Sequence, residues 1–547
     1  MRLKQIFVTG NMRRQEQWLA AMQKKFGEKP EETRTSLEDI RIYYEEIKEE
    51  QTNEVIDDIT WNDLDMDCIF TRMNSTKSYL GEQVLYQQLH TLGDDKAKQE
   101  ERDKRVRYVK ENVDVRGKLE WELSKIGKRR EDYYLPMFLY NAAELEMKHY
   151  KLYRVLQLLL LAIVIFSLVC GIFFQSDLFV FPLICILLVN LTIYAVNKEK
   201  YEVYLAALSS VKDILVFTKM ITTKSEFSEV GVSQEVRESI EKLDKLTRMI
   251  GNFQLKKTAA FSGDAMGIMR DYAIGITLWD FTVYRKITAL IAGKLEDVMQ
   301  LFAFVGQIDM DIAVASFQES VPYYCVPKET DNCMIQMEEA YHPLLDEPVS
   351  NDLDLSGSCI ITGSNASGKS TFIKAVAINA ILAQNIRTCM ARKFEMPPMQ
   401  VVTSMTVRDD ILEGESYYIK ELHYLKRVVD EVDKNRITLC IIDEILRGTN
   451  TQERLAASEA ILTYIAQREC IVIVATHDME LAESMHTKYR CLHFCNYIRE
   501  GNIVFDYKIH EGMNETTNAL TLLEYIGFPE EIVTMAEQNL QESENVV

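Results

Sequence analysis

The chain has 547 residues, of which 47% are hydrophobic, so it is long enough for several domains and can bury at least one large core. Its 62 Lys and Arg residues against 83 Asp and Glu residues give a net charge of −21, which repels a phosphate backbone over most of the surface. This composition excludes a disordered or collagen-like chain and a generally basic nucleic-acid-binding coat, but it permits a local basic patch.

The 11 cysteines are scattered without the dense, even spacing of a disulfide framework, which favours reduced thiols in a cytosolic environment. The N-terminus has too short an apolar run for a secretory signal and soon becomes heavily charged. Residues 1–50 are acidic and amphipathic, and we expect one or two exposed helices there.

Two uncharged apolar stretches, Val155–Phe174 and Leu178–Val196, each reach the length that a helix needs to cross a bilayer. Only Gln175–Asp177 separates them, so the two helices must run antiparallel as a hairpin. Basic residues flank both ends of the hairpin, and they are Lys148, Lys151, Arg154, Lys198 and Lys200. The positive-inside rule therefore predicts a multi-pass membrane protein with the rest of the chain in the cytoplasm.

The alternative to this membrane hairpin is a buried helical hairpin in a large soluble core. Pro182 and Asn190 in the second stretch slightly favour that alternative. The later apolar region Met266–Tyr284 is not a third span, because Arg270, Asp271 and the following Asp280 would each be costly near a bilayer centre. We interpret it as a packed soluble helix.

The pattern of the chain changes at Pro322. No proline lies between Pro182 and Pro322, so this region can form long helical arms, whereas short β-rich runs alternate with helical stretches afterwards. Such alternation predicts a mainly parallel sheet covered by helices. The predicted segments are an N-terminal helical segment 1–50, a first helical core segment 51–150, a transmembrane hairpin 151–200, a helical core or lever segment 201–321 and an ATPase domain 322–547.

A glycine-rich segment follows the β-rich run Cys359–Thr362 and satisfies the eight-position phosphate-loop pattern. It consists of Gly363, Ser364, Asn365, Ala366, Ser367, Gly368, Lys369, Ser370 and Thr371. Its glycines let backbone N–H groups converge on phosphates, and the next helix presents its N-terminus to their charge. We expect Lys369 to reach the β- and γ-phosphates of ATP and the Ser370 hydroxyl to bind Mg²⁺. The alternative, an accidental glycine-rich turn, is disfavoured by the strand and helix on either side.

Acidic side chains follow a second apolar run, Leu439–Ile442. Asp443 is expected to hold Mg²⁺ through water, and Glu444 to polarise the water that attacks ATP. A third apolar run, Ile471–Ala475, is followed by Thr476 and His477. We expect His477 at the same edge of the sheet. This histidine either hydrogen-bonds the γ-phosphate or is an ordinary residue at a strand end, and its position alone does not choose between them.

Three segments resemble the ATPase domain of the MutS mismatch-repair family, and they are Thr362–Thr371, Asp443–Thr451 and Ala475–His477. Further segments are similar to the approaches and end of that domain and to the start of the family's helical core: Tyr341–Leu345, Asn351–Leu353, Gly527–Glu530, Ile59–Leu64 and Asn74–Leu85. The resemblance covers most of the chain outside residues 1–50 and the apolar hairpin. It implies an α/β P-loop ATPase domain preceded by a mostly α-helical core.

The resemblance also implies a dimer in which a serine of one subunit completes the nucleotide site of the other. The segment Glu413–Tyr418 is similar to the family segment that carries this serine, so Ser416 would bind the γ-phosphate in trans. Ser416 also stands where it could cap the next helix, and both roles are compatible. Duplex DNA is the ligand of the family.

The chain departs from the family pattern in two ways. Ser364, Ala366, Ser367 and Asn450 replace the usual residues, and we expect Mg²⁺ and phosphate binding to survive these changes. The family's N-terminal mismatch-reading domain cannot fit before residue 55, which argues against specific mismatch recognition.

Three candidate metal ligands, Cys491, His493 and Cys495, alternate along one predicted strand face. They could bind zinc, but Leu492 and Phe494 between them also suit an ordinary buried strand.

The sequence thus predicts a membrane-anchored, MutS-like ATPase that works as a homodimer and uses ATP to move helical arms, with duplex DNA as a candidate partner. The competing hypothesis is an ATP-driven membrane machine that acts on protein or lipid without binding DNA. A transporter ATPase is disfavoured, because two spans make no pathway and the Leu-Ser-Gly-Gly-Gln signature is absent.

Overall fold

The computed structural model describes residues 15–30, 35–49, 54–93, 96–141, 150–174, 181–243, 277–278, 282, 285, 289, 293–364, 367–405, 417–434, 436–446, 450–499, 502–513 and 526–544. A helical region precedes a mixed α/β domain, as the sequence predicts. The contacts group the chain into two compact units. The first, helical unit comprises Met1–Gln51, Asn74–Gln87 and Glu101–Ser316, and the second, α/β unit comprises Thr52–Met73, Gln88–Glu100 and Phe317–Val547.

Residues 15–25 and 234–243 are helical, and the further helices are numbered in chain order. They are α1 Leu37–Ile47, α2 Asp58–Asp63, α3 Met66–Met73, α4 Tyr79–His90, α5 Lys96–Glu111, α6 Val113–Ile126, α7 Leu135–Tyr140, α8 Tyr150–Phe174, α9 Phe181–Thr223, α10 Leu295–Glu319, α11 Lys369–Asn385, α12 Tyr417–Val432, α13 Thr451–Ile465, α14 Met479–Met485 and α15 Glu530–Glu544. Short 3₁₀ helices span Arg130–Tyr134 and Ser225–Val230.

The strands are also numbered in chain order. They are β1 Glu54–Val55, β2 Thr91–Leu92, β3 Lys328–Glu329, β4 Ile335–Ala340, β5 Asn351–Leu355, β6 Cys359–Thr362, β7 Lys393–Met396, β8 Gln400–Ser404, β9 Thr438–Asp443, β10 Cys470–Ala475, β11 Arg490–Arg499 and β12 Asn502–Glu511. The alternation of strands and helices after residue 322 agrees with the expected mainly parallel sheet.

The helical unit contains two very different apolar helices. The most apolar 18-residue segment of α8 has a mean hydropathy of 2.8, and only 6% of this segment is buried in the protein. The helix α10 is also long and apolar enough to cross a membrane, yet 78% of its most apolar segment is buried. Hydropathy alone therefore does not separate a core helix from an exposed apolar helix.

The helix α10 packs closely on α4 in the helical unit, because both helices carry a glycine at the contact. A Cβ atom at Gly81 would lie 2.4 Å from the Asp309 carboxylate, and one at Gly306 would lie 2.8 Å from the Leu80 carbonyl oxygen. The buried Asp309 carboxylate accepts hydrogen bonds from the Ser78 hydroxyl and from backbone N–H groups. Burial raises the pKa of Asp309, and these hydrogen bonds oppose the rise.

The helix α9 runs from the second apolar stretch to Thr223 without a break, so the chain makes one long helix where the sequence predicts a span followed by an arm. The arm region is not a single helix beyond that point, since the 3₁₀ helix and Gly231, whose φ is 76°, interrupt it. Residues 175–180, which include the predicted turn Gln175–Asp177, and residues 244–276 lie outside the described residues. Within the apolar segment Met266–Tyr284, Leu278 and Thr282 contact Gln157 of α8 through hydrogen bonds of 2.7 and 2.9 Å.

The α/β unit contains a six-stranded sheet with the order β12-β11-β6-β10-β9-β8. The five strands from β11 to β8 are parallel, and β12 pairs antiparallel with β11 at one edge. A second sheet has the order β3-β7-β4-β5. The strands β6, β9 and β10 are buried throughout except at Asp443, which explains their continuous apolar sequences.

The α/β unit also takes in residues 52–73 and 88–100, which the sequence analysis assigned to the first helical core segment. Polar contacts explain this difference. The Asp63 carboxylate accepts hydrogen bonds from the Thr403 hydroxyl at 2.7 Å and from the Met405 N–H at 3.1 Å, where β8 ends. The Asn385 side chain donates to the Leu89 carbonyl oxygen at 2.6 Å. These partners are far apart in sequence, so no local pattern predicts them.

Candidate functional site

Three adjacent parallel strands, β6, β10 and β9, end at one edge of the six-stranded sheet. In the register of the sheet, Ala475 at the end of β10 lies between Ile361 of β6 and Asp443 of β9. The residues that follow each strand are therefore neighbours in space. This pairing brings the glycine-rich segment, Asp443 with Glu444, and His477 to the same edge, as the sequence predicts.

The glycine-rich segment connects β6 to α11 and depends on two glycines. Gly363 has φ of 146°, and a Cβ atom there would lie 2.8 Å from the Phe494 carbonyl oxygen. Gly368 has φ of 105° and is the N-cap of α11. Both positions disfavour residues with a side chain. Asn365 and Ala366 lie outside the described residues.

Lys369 is the first residue of α11, and its ammonium group folds back over the loop. Its Nζ atom donates to the carbonyl oxygens of Gly363 at 2.6 Å and Ser364 at 2.9 Å. Ser370 and Thr371 follow in the exposed first turn of the helix. The helix N-terminus and the lysine together make this position favourable for an anion.

Glu444 adopts a left-handed backbone conformation, with φ of 62°, directly after β9. Its N–H group donates to the Ala475 carbonyl oxygen at 2.8 Å, which fixes the turn against the end of β10. A non-glycine residue in this conformation costs on the order of 1–3 kcal/mol and is frequent at functional sites.

The carboxylate of Glu444 contacts the imidazole of His477. The Oε2 atom lies 2.7 Å from Nδ1, and the two side chains are 10% and 60% exposed respectively. His477 thus orients the carboxylate while most of its own ring faces solvent. This contact is not part of the sequence prediction, which placed the two residues only at the same edge of the sheet.

A cavity of about 470 Å³ opens at this edge, a volume in the range of small-molecule sites. Its wall contains the predicted residues Ser364, Ser367, Gly368, Lys369, Ser370, Thr371, Asp443 and Glu444. His477 does not line this cavity, but with Glu444 it lines a smaller one nearby. Ser416 lies outside the described residues, so its predicted role stays a prediction.

The cavity wall also contains residues that the sequence analysis did not assign to the site. Phe494 of β11 and Tyr507 of β12 lie against the glycine-rich loop, since a Cβ atom at Gly368 would be 3.1 Å from the Tyr507 ring. Asn351 fixes β12 by donating to the Tyr507 carbonyl oxygen at 3.0 Å and accepting from the Ile509 N–H at 2.9 Å. Only the pairing of β11 with β6 brings these residues to the loop, so no spacing in the sequence could have found them.

His342 is a titratable residue in the cavity wall. Burial, together with the nearby positive charge of Lys374, lowers the pKa of His342 to about 4. Its imidazole is therefore neutral near pH 7, and its Nδ1 atom accepts a hydrogen bond from the Leu344 N–H at 3.3 Å.

The donor set of the cavity fits a hard divalent cation. The Ser370 hydroxyl and the Asp443 carboxylate both line it, and oxygen atoms of these types are the ligands that Mg²⁺ prefers. Asn450, which replaces a serine usual in the resembling family, caps α13 by accepting hydrogen bonds from the N–H groups of Gln452 and Glu453. The substitution therefore keeps a polar cap at this helix.

Comparison with known proteins relates the α/β unit to the MutS proteins. The family described as MutS domain V matches residues 359–544. The DNA mismatch repair protein MutS of Shouchella clausii is 27% identical over 281 residues, which make up 49% of this chain and 32% of that protein. The MutS protein of Pseudothermotoga lettingae is 29% identical over 270 residues, with 47% and 33% covered.

A eukaryotic relative gives the same result. The DNA mismatch repair protein msh3 of Aspergillus niger is 28% identical over 282 residues, covering 48% of this chain and 25% of that protein. The chain thus spans about a third or less of the length of the curated relatives that it matches. These matches show that the α/β unit is similar to domain V of the MutS proteins.

The geometry of Gly363 gives a prediction about stability. We expect Gly363→Ala to destabilise the protein by about 1–3 kcal/mol, because the added Cβ atom would meet a backbone carbonyl at an unfavourable φ. Gly357→Ala is the matched control, since a Cβ atom there has no neighbour within 4 Å. Thermal unfolding of the purified variants measures the difference, and equal midpoints for both variants would contradict the described loop conformation.

Proposed function

We propose that this MutS-related chain is a membrane-anchored ATPase that couples ATP binding and hydrolysis to the closing of a dimer and the movement of its helical arms. The observation that supports the ATPase most strongly is the arrangement of Lys369, Asp443 and Glu444 around one cavity at the end of three parallel strands. A lysine and two carboxylates at this edge are the groups that phosphoryl transfer to water requires.

The residues of the cavity divide the chemistry between them. Lys369 would leave the loop carbonyls and neutralise the β- and γ-phosphates, for which its position at the helix N-terminus suits it. Ser370 and Asp443 would hold Mg²⁺, which supplies electrostatic stabilisation of the phosphate oxygens when bound. Glu444 would accept a hydrogen bond from the attacking water and align it with the γ-phosphate.

His477 acts on this reaction through Glu444. Its Nδ1 atom is close enough to hold the carboxylate in place, and its largely exposed ring can respond to a phosphate that arrives at the cavity edge. We therefore assign His477 a positioning role that links the nucleotide to the end of β10. This assignment favours the functional interpretation of the residue over that of an ordinary strand-end histidine.

The exposed helix α8 supports the membrane anchor. Leu158, Leu161, Leu168 and Phe173 are each more than half exposed, although burial of apolar side chains is what stabilises a helix in water. The apolar part of α9, Phe181–Val196, is shorter than α8 and would be the second helix of the proposed hairpin. The helix α9 contacts α8. The basic flanks of the hairpin support a cytoplasmic location of both units.

The proposed dimer follows from the relation to MutS, in which Ser416 of one subunit would complete the nucleotide site of the other. Only half of each composite site would then lie in one chain. ATP would draw two α/β units together, and the helices that precede them would transmit this movement to the partner that they hold.

Lys369→Ala tests the phosphate-binding role. We expect turnover to fall about 100-fold or more, because the variant loses the positive charge that faces the phosphates. Lys374→Ala, in the same helix but paired with Asp65 at 2.7 Å outside the cavity wall, should retain binding and turnover. Equilibrium binding of a fluorescent ATP analogue measures the affinity of each variant for ATP, and steady-state phosphate release measures its turnover. Near-normal hydrolysis by Lys369→Ala would overturn the assignment of the site.

Glu444→Gln tests the role of the carboxylate in hydrolysis. The variant should bind ATP with nearly unchanged affinity but hydrolyse it about 100- to 10,000-fold more slowly, since an amide does not accept the proton of water. It should also accumulate as an ATP-bound dimer, which light scattering detects. Glu453→Gln, in the first turn of α13, is the control. If Glu444→Gln hydrolyses ATP at nearly the wild-type rate, Glu444 does not act in the reaction.

The membrane anchor is tested by fractionation. The full chain should remain with membranes after carbonate extraction, because α8 is long and apolar enough to cross a bilayer. Leu161→Arg combined with Leu168→Arg should release a large part of it, since each arginine costs about 3 kcal/mol in a bilayer centre. Val216→Arg, at an exposed site of α9 beyond the apolar stretch, should not release the chain from membranes. Release of the wild-type chain by carbonate would contradict the anchor.

DNA binding separates the proposed function from its alternative. The net charge of −21 favours the alternative, in which the arms act on a protein or lipid partner. If DNA is the partner, a fluorescent duplex should bind at 50 mM salt and at least tenfold more weakly at 200 mM, because phosphate contacts release counterions. A duplex that does not bind at 50 mM salt, with or without ATP, would support the alternative.

A further inference from the structure

The antiparallel pair β11 and β12 contains a large bulge at the edge of the six-stranded sheet. Phe494 pairs with Ile509 and Asn496 pairs with Phe505, so Cys495 alone faces three residues of β12 between these pairs. Tyr507 in the bulge has φ of 54°, and the Asp506 carboxylate accepts a hydrogen bond from the Lys508 N–H at 3.0 Å. The bulge therefore bends β12 locally.

The bulge brings three side chains with metal-ligating atoms together. Asp506 and His510 would lie about 13 Å apart along a regular strand, yet the His510 Nε2 atom is 2.8 Å from the Asp506 carboxylate. The Cys495 thiol lies 3.7 Å from the same carboxylate. The ligand atoms of these three residues are all within 4.8 Å of one another, and all three side chains are partly exposed.

We propose that Cys495, Asp506 and His510 form a binding site for a divalent transition-metal ion, with Zn²⁺ as the ion that this donor set fits best. Thiolate, imidazole and carboxylate are the usual protein ligands of zinc. Solvent would take the fourth position, because all three side chains are partly exposed. This site is separate from the nucleotide cavity, where the proposed metal ligands, Ser370 and Asp443, offer oxygen atoms.

The two distances to the Asp506 carboxylate require only a small adjustment on binding. Tetrahedral zinc with ordinary bond lengths would separate sulfur and oxygen by about 3.6 Å and nitrogen and oxygen by about 3.4 Å. The first value is close to the 3.7 Å between Cys495 and Asp506, and the second exceeds the 2.8 Å between Asp506 and His510 by roughly 0.6 Å. The metal would replace that hydrogen bond, and the Cys495 thiol would release its proton to solvent.

The site differs from the set Cys491, His493 and Cys495 that the strand pattern suggests. The Cys491 thiol is directed to the carbonyl oxygens of Ala482 and Tyr489. The Nδ1 atom of His493 lies 3.1 Å from the carbonyl oxygen of Gly512. Of the three residues in the pattern, only Cys495 belongs to the cluster, and the neighbouring strand supplies the other two ligands.

Cobalt titration tests this proposal in the full-length protein, stripped of zinc and kept in Mg²⁺ to occupy the oxygen ligands of the nucleotide cavity. We expect one Co²⁺ per chain, with a thiolate-to-cobalt charge-transfer absorption that Zn²⁺ displaces. Cys495→Ser should abolish that absorption, and Asp506→Asn and His510→Gln should each weaken binding at least tenfold. Cys491→Ser is the matched control, on the same strand, and should leave both the absorption and the affinity unchanged.

A second measurement is the thermal unfolding midpoint with and without Zn²⁺. Zinc should raise the midpoint of the wild type and of Cys491→Ser, but not that of Cys495→Ser, because only a ligand of the folded state stabilises it. Comparable midpoints of the three metal-free proteins establish that the variants fold. The proposal is overturned if the wild type shows no charge-transfer absorption, if Cys495→Ser retains it, or if Cys491→Ser loses it.

Discussion

The parallel pairing of β6, β10 and β9 is the constraint on which the candidate site depends. Each strand contributes a short polar segment only at its carboxyl end, and the register at Ala475 brings these ends to one edge. The strands themselves are apolar and buried, so their alignment is held by the ladder of backbone hydrogen bonds and by packing on both faces. A shift of one residue would reverse the direction of every side chain and separate Lys369 from Asp443.

The left-handed turn at Glu444 stores strain where the proposed chemistry takes place. The strand pairing supplies the compensation, since the N–H group of Glu444 bonds to the carbonyl oxygen at the end of β10. The same turn presents the carboxylate to His477, whose ring reaches it from the segment after β10. Any movement of one strand end relative to the other would therefore change the position of the carboxylate. This coupling gives the proposed ATPase a direct link between nucleotide contacts and the sheet.

The outer pair β11 and β12 takes part in both proposed sites. Phe494 and Tyr507 cover the glycine-rich loop, while the proposed metal ligands Cys495 and Asp506 are their immediate neighbours in the chain. Alternation along β11 directs Phe494 and Cys495 to opposite faces. On β12 the bulge at Tyr507 replaces regular alternation, because its positive φ turns the backbone. An ion at the proposed site would thus lie just behind the wall of the nucleotide cavity.

The sequence by itself determined the α/β class, the glycine-rich loop and the strand-end position of Asp443, because these follow from local spacing and apolar runs. Hydropathy found α8, but burial distinguished it from α10, since both are long and apolar enough to cross a membrane. Only the tertiary structure decided that residues 52–73 join the α/β unit, that Glu444 contacts His477, and that Asp506 and His510 meet Cys495. These contacts depend on strand register and on a bulge, which are set by packing between segments distant in the chain and leave no periodic pattern in it.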